Sequence, residues 1–124
     1  MTKIARHAEA RVATKLLDRY LSLHAATDLE GVLSLFAKDA TLEDPVGAPI
    51  HHGLAAIRAF YRETHSRIGK LDIERIGPVL TGGDEIAAHV RARLESPDDA
   101  PEVDVIYTLR LDDEGRIASL RAFF

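Results

Sequence analysis

The sequence predicts an α+β fold, with helices first and an antiparallel sheet after them. Three apolar patterns with helical spacing occupy the first half of the chain, and four alternating segments separated by turn residues fill the second half. Consecutive hairpins form one sheet, whose faces meet the helices on one side and water or a partner on the other. A length of 124 residues, with 46% hydrophobic and 29% charged residues, predicts one domain over residues 1–124.

The first helix is predicted from Ala5 to Ala26, because larger apolar residues recur there at steps of three and four. A short second helix follows, since Thr27 and Glu30 have the spacing of a capping box, with Asp28 as the alternative cap. Its predicted apolar face consists of Leu29, Val32, Leu33 and Phe36. A third helix is predicted to start at Leu54 and to end near Ser66.

A first strand is predicted from Ala40 to Asp44, ending at Pro45, because proline disfavours helix in the residue before it. In the loop that follows, the adjacent His51 and His52 lack a third ligand and indicate a loop rather than a metal site. Turn residues separate the four later strands, which are predicted at Ile73 to Leu80, Glu85 to Glu95, Glu102 to Asp112 and Arg116 to Phe124.

Composition disfavours several classes of function. The absence of cysteine excludes disulfides, thiol nucleophiles and zinc–thiolate sites. No signal-peptide pattern and no apolar run of ~20 residues is present, so we expect a cytoplasmic protein without membrane contact. The 16 Lys and Arg are outnumbered by 20 Asp and Glu and lie scattered, which disfavours nucleic acid as a partner. Phosphate-loop, HExxH and GxSxG motifs are missing, and we expect neither cofactor nor metal.

Three polar side chains fall on otherwise apolar faces: Tyr20 in the first helix, Asp44 in the first strand and Tyr107 in the third long strand. Either tyrosine has the alternative of a core residue whose hydroxyl reaches the surface. Asp44 has the alternative of a turn former before Pro45. An ionised carboxylate among apolar neighbours is costly, however, so Asp44 needs a reason for its place. Small alanines in the second long strand, such as Ala92, hint at a cavity.

One carboxylate and phenolic hydroxyls around an apolar pocket suit proton abstraction next to a carbonyl group. The carboxylate takes the proton, and neutral hydroxyl groups stabilise the enolate oxygen by donating hydrogen bonds. The serines occupy no recognisable nucleophile motif, which disfavours acyl-enzyme hydrolysis.

Segments in order along nearly the whole chain carry a family resemblance. They are Tyr20, the stretch FAKDATLEDP at 36–45, His52-Gly53 with Ile57, Phe60 and Tyr61, and the C-terminal part from Asp104 to Ile117. Together they resemble the bacterial ketosteroid isomerases, within the wider superfamily of NTF2-like, SnoaL-like proteins. The helical opening and the A-x-D-A-T strand indicate mainly the fold, whereas Asp44-Pro45 with Tyr20 upstream is more specific.

The resemblance implies a cone, in which three helices in the N-terminal half wrap a bent, mostly antiparallel sheet, and a homodimer formed through the outer sheet face. By position, Tyr20 matches the oxyanion-hole tyrosine, Asp44 the general base and Tyr61 a supporting tyrosine. Phe36 stands where some members have a further tyrosine. Tyr107 replaces the protonated aspartic acid that donates to the enolate oxygen, and a phenol stays neutral at pH 7 without a raised pKa.

The expected function is therefore a cofactor-independent isomerase that moves a double bond of a 3-oxosteroid into conjugation. Asp44, Tyr20 and Tyr107 are its expected catalytic residues, and the expected pocket walls are Val90, Val103, Phe60 and Phe124. Two alternatives stay open. One is a polyketide-cyclase-like enzyme that uses Asp44 for aldol closure, and the other is a non-catalytic ligand-binding or dimerisation module.

Overall fold

Three helices pack on one face of a six-stranded sheet in the computed structural model, which describes residues 3–124. The helices are α1 (Lys3–Ala25), α2 (Leu29–Leu33) and α3 (Gly53–Ile68). The strands are β1 (Phe36–Glu43), β2 (His51–His52), β3 (Leu71–Gly82), β4 (Glu85–Leu94), β5 (Val103–Leu111) and β6 (Ile117–Phe123). Met1 and Thr2, part of the predicted domain, lie outside the described residues.

The strand order is β2-β1-β6-β5-β4-β3. From β3 to β6 each strand pairs antiparallel with the next, as the hairpin signals predict, and β1 joins β6 in parallel. The predicted α+β class with a mostly antiparallel sheet is confirmed. The parallel pairing brings the strand before Asp44 beside the last strand of the chain.

Phe36 does not belong to the second helix, and that prediction is wrong. α2 ends at Leu33, and Phe36 opens β1, opposite Ile117 of β6. The backbone N–H of Ile117 also donates to the carbonyl of Leu35 at 2.9 Å. Pairing with a strand about 80 residues later in the sequence overrides the local helical spacing.

The cap of α2 is Asp28, the alternative of the two predicted caps. Its carboxylate accepts the N–H of Gly31 at 2.9 Å. The capping box from Thr27 is wrong, since Thr27 has a positive φ of 58° and its hydroxyl donates to the carbonyl of Ala26. The predicted loop residues His51 and His52 form the short β2 against β1.

The core lies between the helices and the sheet, where α1 packs against β3 and α3 against β1. Leu17 and Tyr20 on α1, and Ile57 and Tyr61 on α3, are fully buried. The apolar stripes of the two helices therefore carry two phenols into the interior. In residues 3–124, no helix has both the length and the apolar character of a membrane span.

Candidate active site

A mainly apolar cavity of about 460 Å³ lies between α3 and the β4–β5 end of the sheet. This volume is within the range of small-molecule sites. Its apolar walls include Phe60, Ile68, Leu94, Val103, Val105 and Phe124. A second groove of about 560 Å³, lined by residues such as Asp18 and Lys70, contains none of the predicted site residues.

Asp44 lines the apolar cavity directly after the end of β1. Its carboxylate accepts no hydrogen bond from the described residues, and it forms no ion pair with them. Burial raises the pKa of Asp44 from 3.8 to about 6, because a low-dielectric environment disfavours the charged form. Asp44 is therefore a carboxylate whose oxygens remain available to a ligand.

The turn after β1 is held by Glu43 rather than by Asp44. The carboxylate of Glu43 accepts the N–H of Gly47 at 3.0 Å and the Nε–H of Arg121 at 2.8 Å. These bonds lower the pKa of Glu43, the backbone bond having the larger effect. The turn-forming role considered for Asp44 therefore belongs to Glu43, and the carboxylate of Asp44 takes no part in the turn.

Tyr20 and Tyr61 form a buried pair behind the cavity wall. Their hydroxyl oxygens are 2.6 Å apart and share a hydrogen bond. Both side chains are fully buried, and neither lines the cavity. The ring of Phe36 packs against both, with centroids 6.4 Å from Tyr20 and 6.1 Å from Tyr61. Phe36 adds no hydroxyl to the pair.

Tyr107 on β5 lines the cavity together with Asp44. It is 5% exposed, and its ring lies edge-on to Tyr20, with centroids 5.7 Å apart and planes at 72°. Burial first, and then the charge of Asp44, raise the pKa of Tyr107. Burial likewise raises the pKa values of Tyr20 and Tyr61. At pH 7 all three phenols are neutral hydrogen-bond donors.

The predicted walls Phe60, Val103 and Phe124 all line the cavity, whereas Val90 does not. Val90 is fully buried in the core and pairs with Val105 across the β4–β5 ladder. Ala92, two residues later on the same face of β4, lines the cavity instead, in keeping with the space that small residues leave.

Sequence reasoning missed four polar residues of the cavity, His24, Thr64, Arg67 and Arg93. None of them is among the predicted site residues. A signal was present for His24 and Thr64, because His24 follows Tyr20 by four residues and Thr64 follows Tyr61 by three, so each shares a helix face with a predicted site tyrosine.

A family model described as a SnoaL-like domain matches residues 17–120, which include Tyr20, Asp44 and Tyr107. The chain belongs to the SnoaL-like domain family. This SnoaL-like domain is 34% identical over 110 residues to a protein named steroid Delta-isomerase from Nocardioides simplex, and the match covers 86% of this chain and 84% of the relative. The resemblance to the ketosteroid isomerases is confirmed.

The SnoaL-like domain is also similar to the solved structure of SalBIII, an epoxide hydrolase/cyclase-like enzyme with a role in pyran ring formation in the polyether salinomycin. The TM-score is 0.76 at 25% sequence identity, with 89% of this chain and 88% of that chain covered. This neighbour confirms the predicted NTF2-like cone.

Proposed function

We propose that this SnoaL-like domain is a cofactor-independent isomerase that moves the double bond of a β,γ-unsaturated 3-oxosteroid into conjugation. The observation that carries the proposal is the unpartnered, half-buried carboxylate of Asp44 in the same apolar cavity as the hydroxyl-bearing Tyr107. The 34% identity to a steroid Delta-isomerase supports the proposal and its steroid substrate class.

The first step is removal of a proton from the carbon between the carbonyl group and the double bond. Asp44 accepts this proton. The electron pair of the C–H bond forms a double bond to the carbonyl carbon, and the π pair of the carbonyl group moves onto its oxygen to give a dienolate. In the second step Asp44 returns the same proton to the far carbon of the original double bond. The electrons reform the carbonyl group and leave the double bond conjugated, so no cofactor or water is consumed.

Burial tunes Asp44 for both steps. A pKa of about 6 makes the carboxylate a stronger base than a solvated aspartate, yet leaves it mostly ionised at pH 7. The same value makes the protonated acid able to give the proton back. No hydrogen bond from the described residues competes for the carboxylate oxygens.

Tyr107 is the proposed donor to the dienolate oxygen. It lines the cavity, and as a neutral phenol it donates without carrying charge. Tyr20, hydrogen-bonded to Tyr61, packs against the Tyr107 ring and orients it. Direct donation by Tyr20, which the resemblance implies, stays a prediction.

The enone product absorbs ultraviolet light more strongly than its unconjugated precursor, and this absorbance provides the test. We expect the wild-type protein to convert an unconjugated 3-oxosteroid and the Asp44→Asn variant to lose about 10²- to 10⁴-fold in rate. Asp39→Asn is the matched control, because Asp39 is an exposed aspartate on β1. Full turnover by Asp44→Asn would remove Asp44 from the mechanism. Steroid binding without turnover by the wild type would indicate a binding module instead.

A cyclase is the second candidate function, and the similarity to SalBIII, a cyclase-like enzyme with a role in pyran ring formation, supports ring closure in general. In this alternative Asp44 deprotonates a larger polycarbonyl substrate, and the enolate attacks a second carbonyl carbon to close a ring. The chemistry begins in the same way, so the enone assay separates the two functions. A cyclase of this kind leaves the unconjugated oxosteroid unchanged.

The proposal includes a homodimer formed through the outer face of the sheet. Ile106 on β5 and Phe123 on β6 face each other in register and are 42% and 37% exposed. We expect the wild type to sediment as a dimer and Ile106→Asp to sediment as a monomer, because a charge in an apolar interface is costly. A monomeric wild type would contradict this part of the proposal. The cytoplasmic location stays a prediction of the sequence.

A further inference from the structure

His24 is a buried histidine that lies one helical turn beyond Tyr20 on α1. Its ring stacks on that of Tyr20, with centroids 5.7 Å apart and planes at 18°, and lies edge-on to Tyr61 at 5.5 Å. The residue is 6% exposed, and it lines the apolar cavity. A polar ring in such a wall is costly unless its nitrogens find hydrogen-bond partners.

The two ring nitrogens of His24 differ in their surroundings. Nδ1 shares a hydrogen bond of 3.1 Å with Nε2 of His65 on α3, which joins the two helices. Nε2 makes no hydrogen bond with residues 10–124, whose side chains the structure describes, and unlike Nδ1 of His65 it is not completely enclosed. Because His24 lines the cavity, the accessible Nε2 is a polar atom that a ligand there can reach.

The state of His65 determines which nitrogen of His24 carries the proton. Burial lowers the pKa of His24 to about 4 and also lowers the pKa of His65, so each neutral ring carries one N–H at pH 7. If Nδ1–H of His24 donated to His65, the proton of His65 would lie on its own Nδ1. That atom is enclosed and has no acceptor among the described residues.

Donation in the opposite direction avoids a buried N–H without an acceptor. Nε2–H of His65 then donates to Nδ1 of His24, and Nδ1 of His65 retains only a lone pair. Among backbone groups, orphaned N–H donors are rarer than under-satisfied acceptors, and the same preference applies to a buried ring. Both rings then hold the proton on Nε2, the preferred tautomer of a free neutral histidine. The histidine pair thus places a hydrogen-bond donor, Nε2–H of His24, at the cavity.

This donor is separate from the groups proposed to act on the enolising carbonyl group. Tyr20 packs against both His24 and Tyr107, with centroids 5.7 Å from each, so its ring links the two. Burial and then the charge of Asp44 raise the pKa of Tyr107, whereas burial and then His65 lower that of His24. The substrate atom that reaches His24 is therefore a different one from the oxygen that accepts from Tyr107.

We propose that Nε2–H of His24 donates a hydrogen bond to a second keto oxygen of the substrate, on a ring remote from the carbonyl group that enolises. This inference rests on the proposed function and narrows its substrate class to oxosteroids with two keto groups. Discrimination follows from pairing, because a substrate with a methylene group at that place displaces water from the N–H and offers no acceptor.

Equilibrium binding of phenolic steroids tests the contact without requiring turnover, since a phenol mimics the dienolate. Each probe pair consists of a phenolic steroid with one keto group on ring B, C or D and its analogue with a methylene group at the same place. We expect the keto group of one pair to tighten binding to the wild type by about fivefold. His52→Asn is the control and keeps this gain, because His52 is exposed on β2 and does not line the cavity.

Two substitutions of His24 separate the roles of its nitrogens. The side-chain amide of asparagine reaches about as far as Nδ1, and that of glutamine about as far as Nε2. His24→Asn keeps a partner for His65 and removes the donor at the cavity, so the gain from the keto group is expected to vanish. His24→Gln keeps an N–H donor at the cavity and is expected to retain most of the gain. Both variants lose the ring that stacks on Tyr20, so packing does not distinguish them.

Nitrogen NMR of the histidine rings in the free wild type supplies a second readout that needs neither a variant nor a ligand. Protonated and bare ring nitrogens differ widely in chemical shift. At pH 7 we expect Nε2 of His24 to be protonated and its Nδ1 to be bare, with the same tautomer in His65. A protonated Nδ1 in His24 would make Nε2 an acceptor and would overturn the proposal.

The binding outcomes separate the two levels of inference. If no keto group tightens binding to the wild type, or if His24→Asn keeps the gain, the contact is refuted while steroid binding stands. Equal loss of the gain in His24→Asn and His24→Gln would assign the effect to the ring rather than to its donor, and would also refute the contact. If no phenolic steroid binds to the wild type, the proposed function fails, and the contact with a steroid oxygen fails with it.

Discussion

Replacing Asp44 with asparagine is expected to make the protein more stable at pH 7 while it removes the proposed activity. Burial raises the pKa of Asp44 from 3.8 to about 6, so at pH 7 the folded state holds a carboxylate that would be better solvated in the unfolded chain. The difference between a pKa of 3.8 and one of about 6 corresponds to about 3 kcal/mol of unfolding free energy. Asparagine keeps the shape of the side chain and removes the charge.

The sign of the pH dependence follows from proton binding. Between about pH 4 and pH 6 the folded protein holds the proton on Asp44 more tightly than the unfolded chain does. The contribution of Asp44 to stability therefore falls as pH rises through this window. The advantage of Asp44→Asn over the wild type is absent below about pH 4, grows through the window and reaches its full value near pH 7.

Urea unfolding of the wild type and Asp44→Asn at pH 4 and pH 7 measures this difference. Asp39→Asn, at an exposed position on β1, provides the control and is expected to stay near the wild type at both pH values. An advantage of equal size at both pH values would show that the gain comes from packing rather than from charge. If Asp44→Asn is no more stable than the wild type at pH 7, the carboxylate of Asp44 is solvated in the folded protein. Burial would then not make Asp44 a stronger base.

Three further predictions concern the same cavity. Tyr107→Phe is expected to lose about 10²- to 10³-fold in kcat, a larger loss than that of Tyr20→Phe, because Tyr107 lines the cavity and Tyr20 lies behind it. Steady-state kinetics with one 3-oxosteroid compares the two variants, and a larger loss in Tyr20→Phe would make Tyr20 the direct donor. The value of kcat/KM is expected to rise through about pH 6 as Asp44 ionises. It then stays level through neutrality, because burial raises the pKa of Tyr107 and the phenol remains a hydrogen-bond donor. Initial rates across a buffer series measure this profile, and a fall between pH 7 and pH 9 would assign the donor to another group. Burial lowers the pKa of His24 from 6.5 to about 4, so between these two pH values the unfolded chain binds a proton at His24 more tightly than the folded protein does. Acidification from pH 7 to pH 4 is therefore expected to cost the wild type about 3 kcal/mol of unfolding free energy that His24→Gln does not lose. Urea unfolding at pH 4 and pH 7 measures both proteins, and equal losses would contradict the prediction.

Local pattern was sufficient for the fold class and most strand positions, since apolar spacing and turn residues are properties of short segments. The edges of elements depended on distant partners. Phe36 has helical spacing from Val32, yet it pairs with Ile117 in a parallel ladder that no local signal reveals. The sequence permits either Thr27 or Asp28 as the cap of α2, and the backbone conformation of Thr27, with its positive φ, selects Asp28.

The candidate site followed a similar division. Asp44, Tyr107, Phe60, Val103 and Phe124 were predicted, and all line one cavity, because their positions follow from strand alternation and the family pattern. The depth of a side chain within the wall depends on how neighbouring rings pack, which spacing does not give. For that reason the burial of Tyr20 behind the wall, the exclusion of Val90 and the place of Thr64 required the structure.

The pairing of β1 with β6 also determines when the cavity can exist. Asp44 lies at the end of β1, Phe124 follows β6, and the N–H of Val46 donates to the carbonyl of Ala122 at 2.7 Å. A growing polypeptide on the ribosome thus carries Asp44 long before the strand that completes this side of the cavity has been synthesised. A nascent chain halted before β6 lacks Phe124 and the parallel partner of β1, so this side of the cavity is incomplete until the last strand has paired.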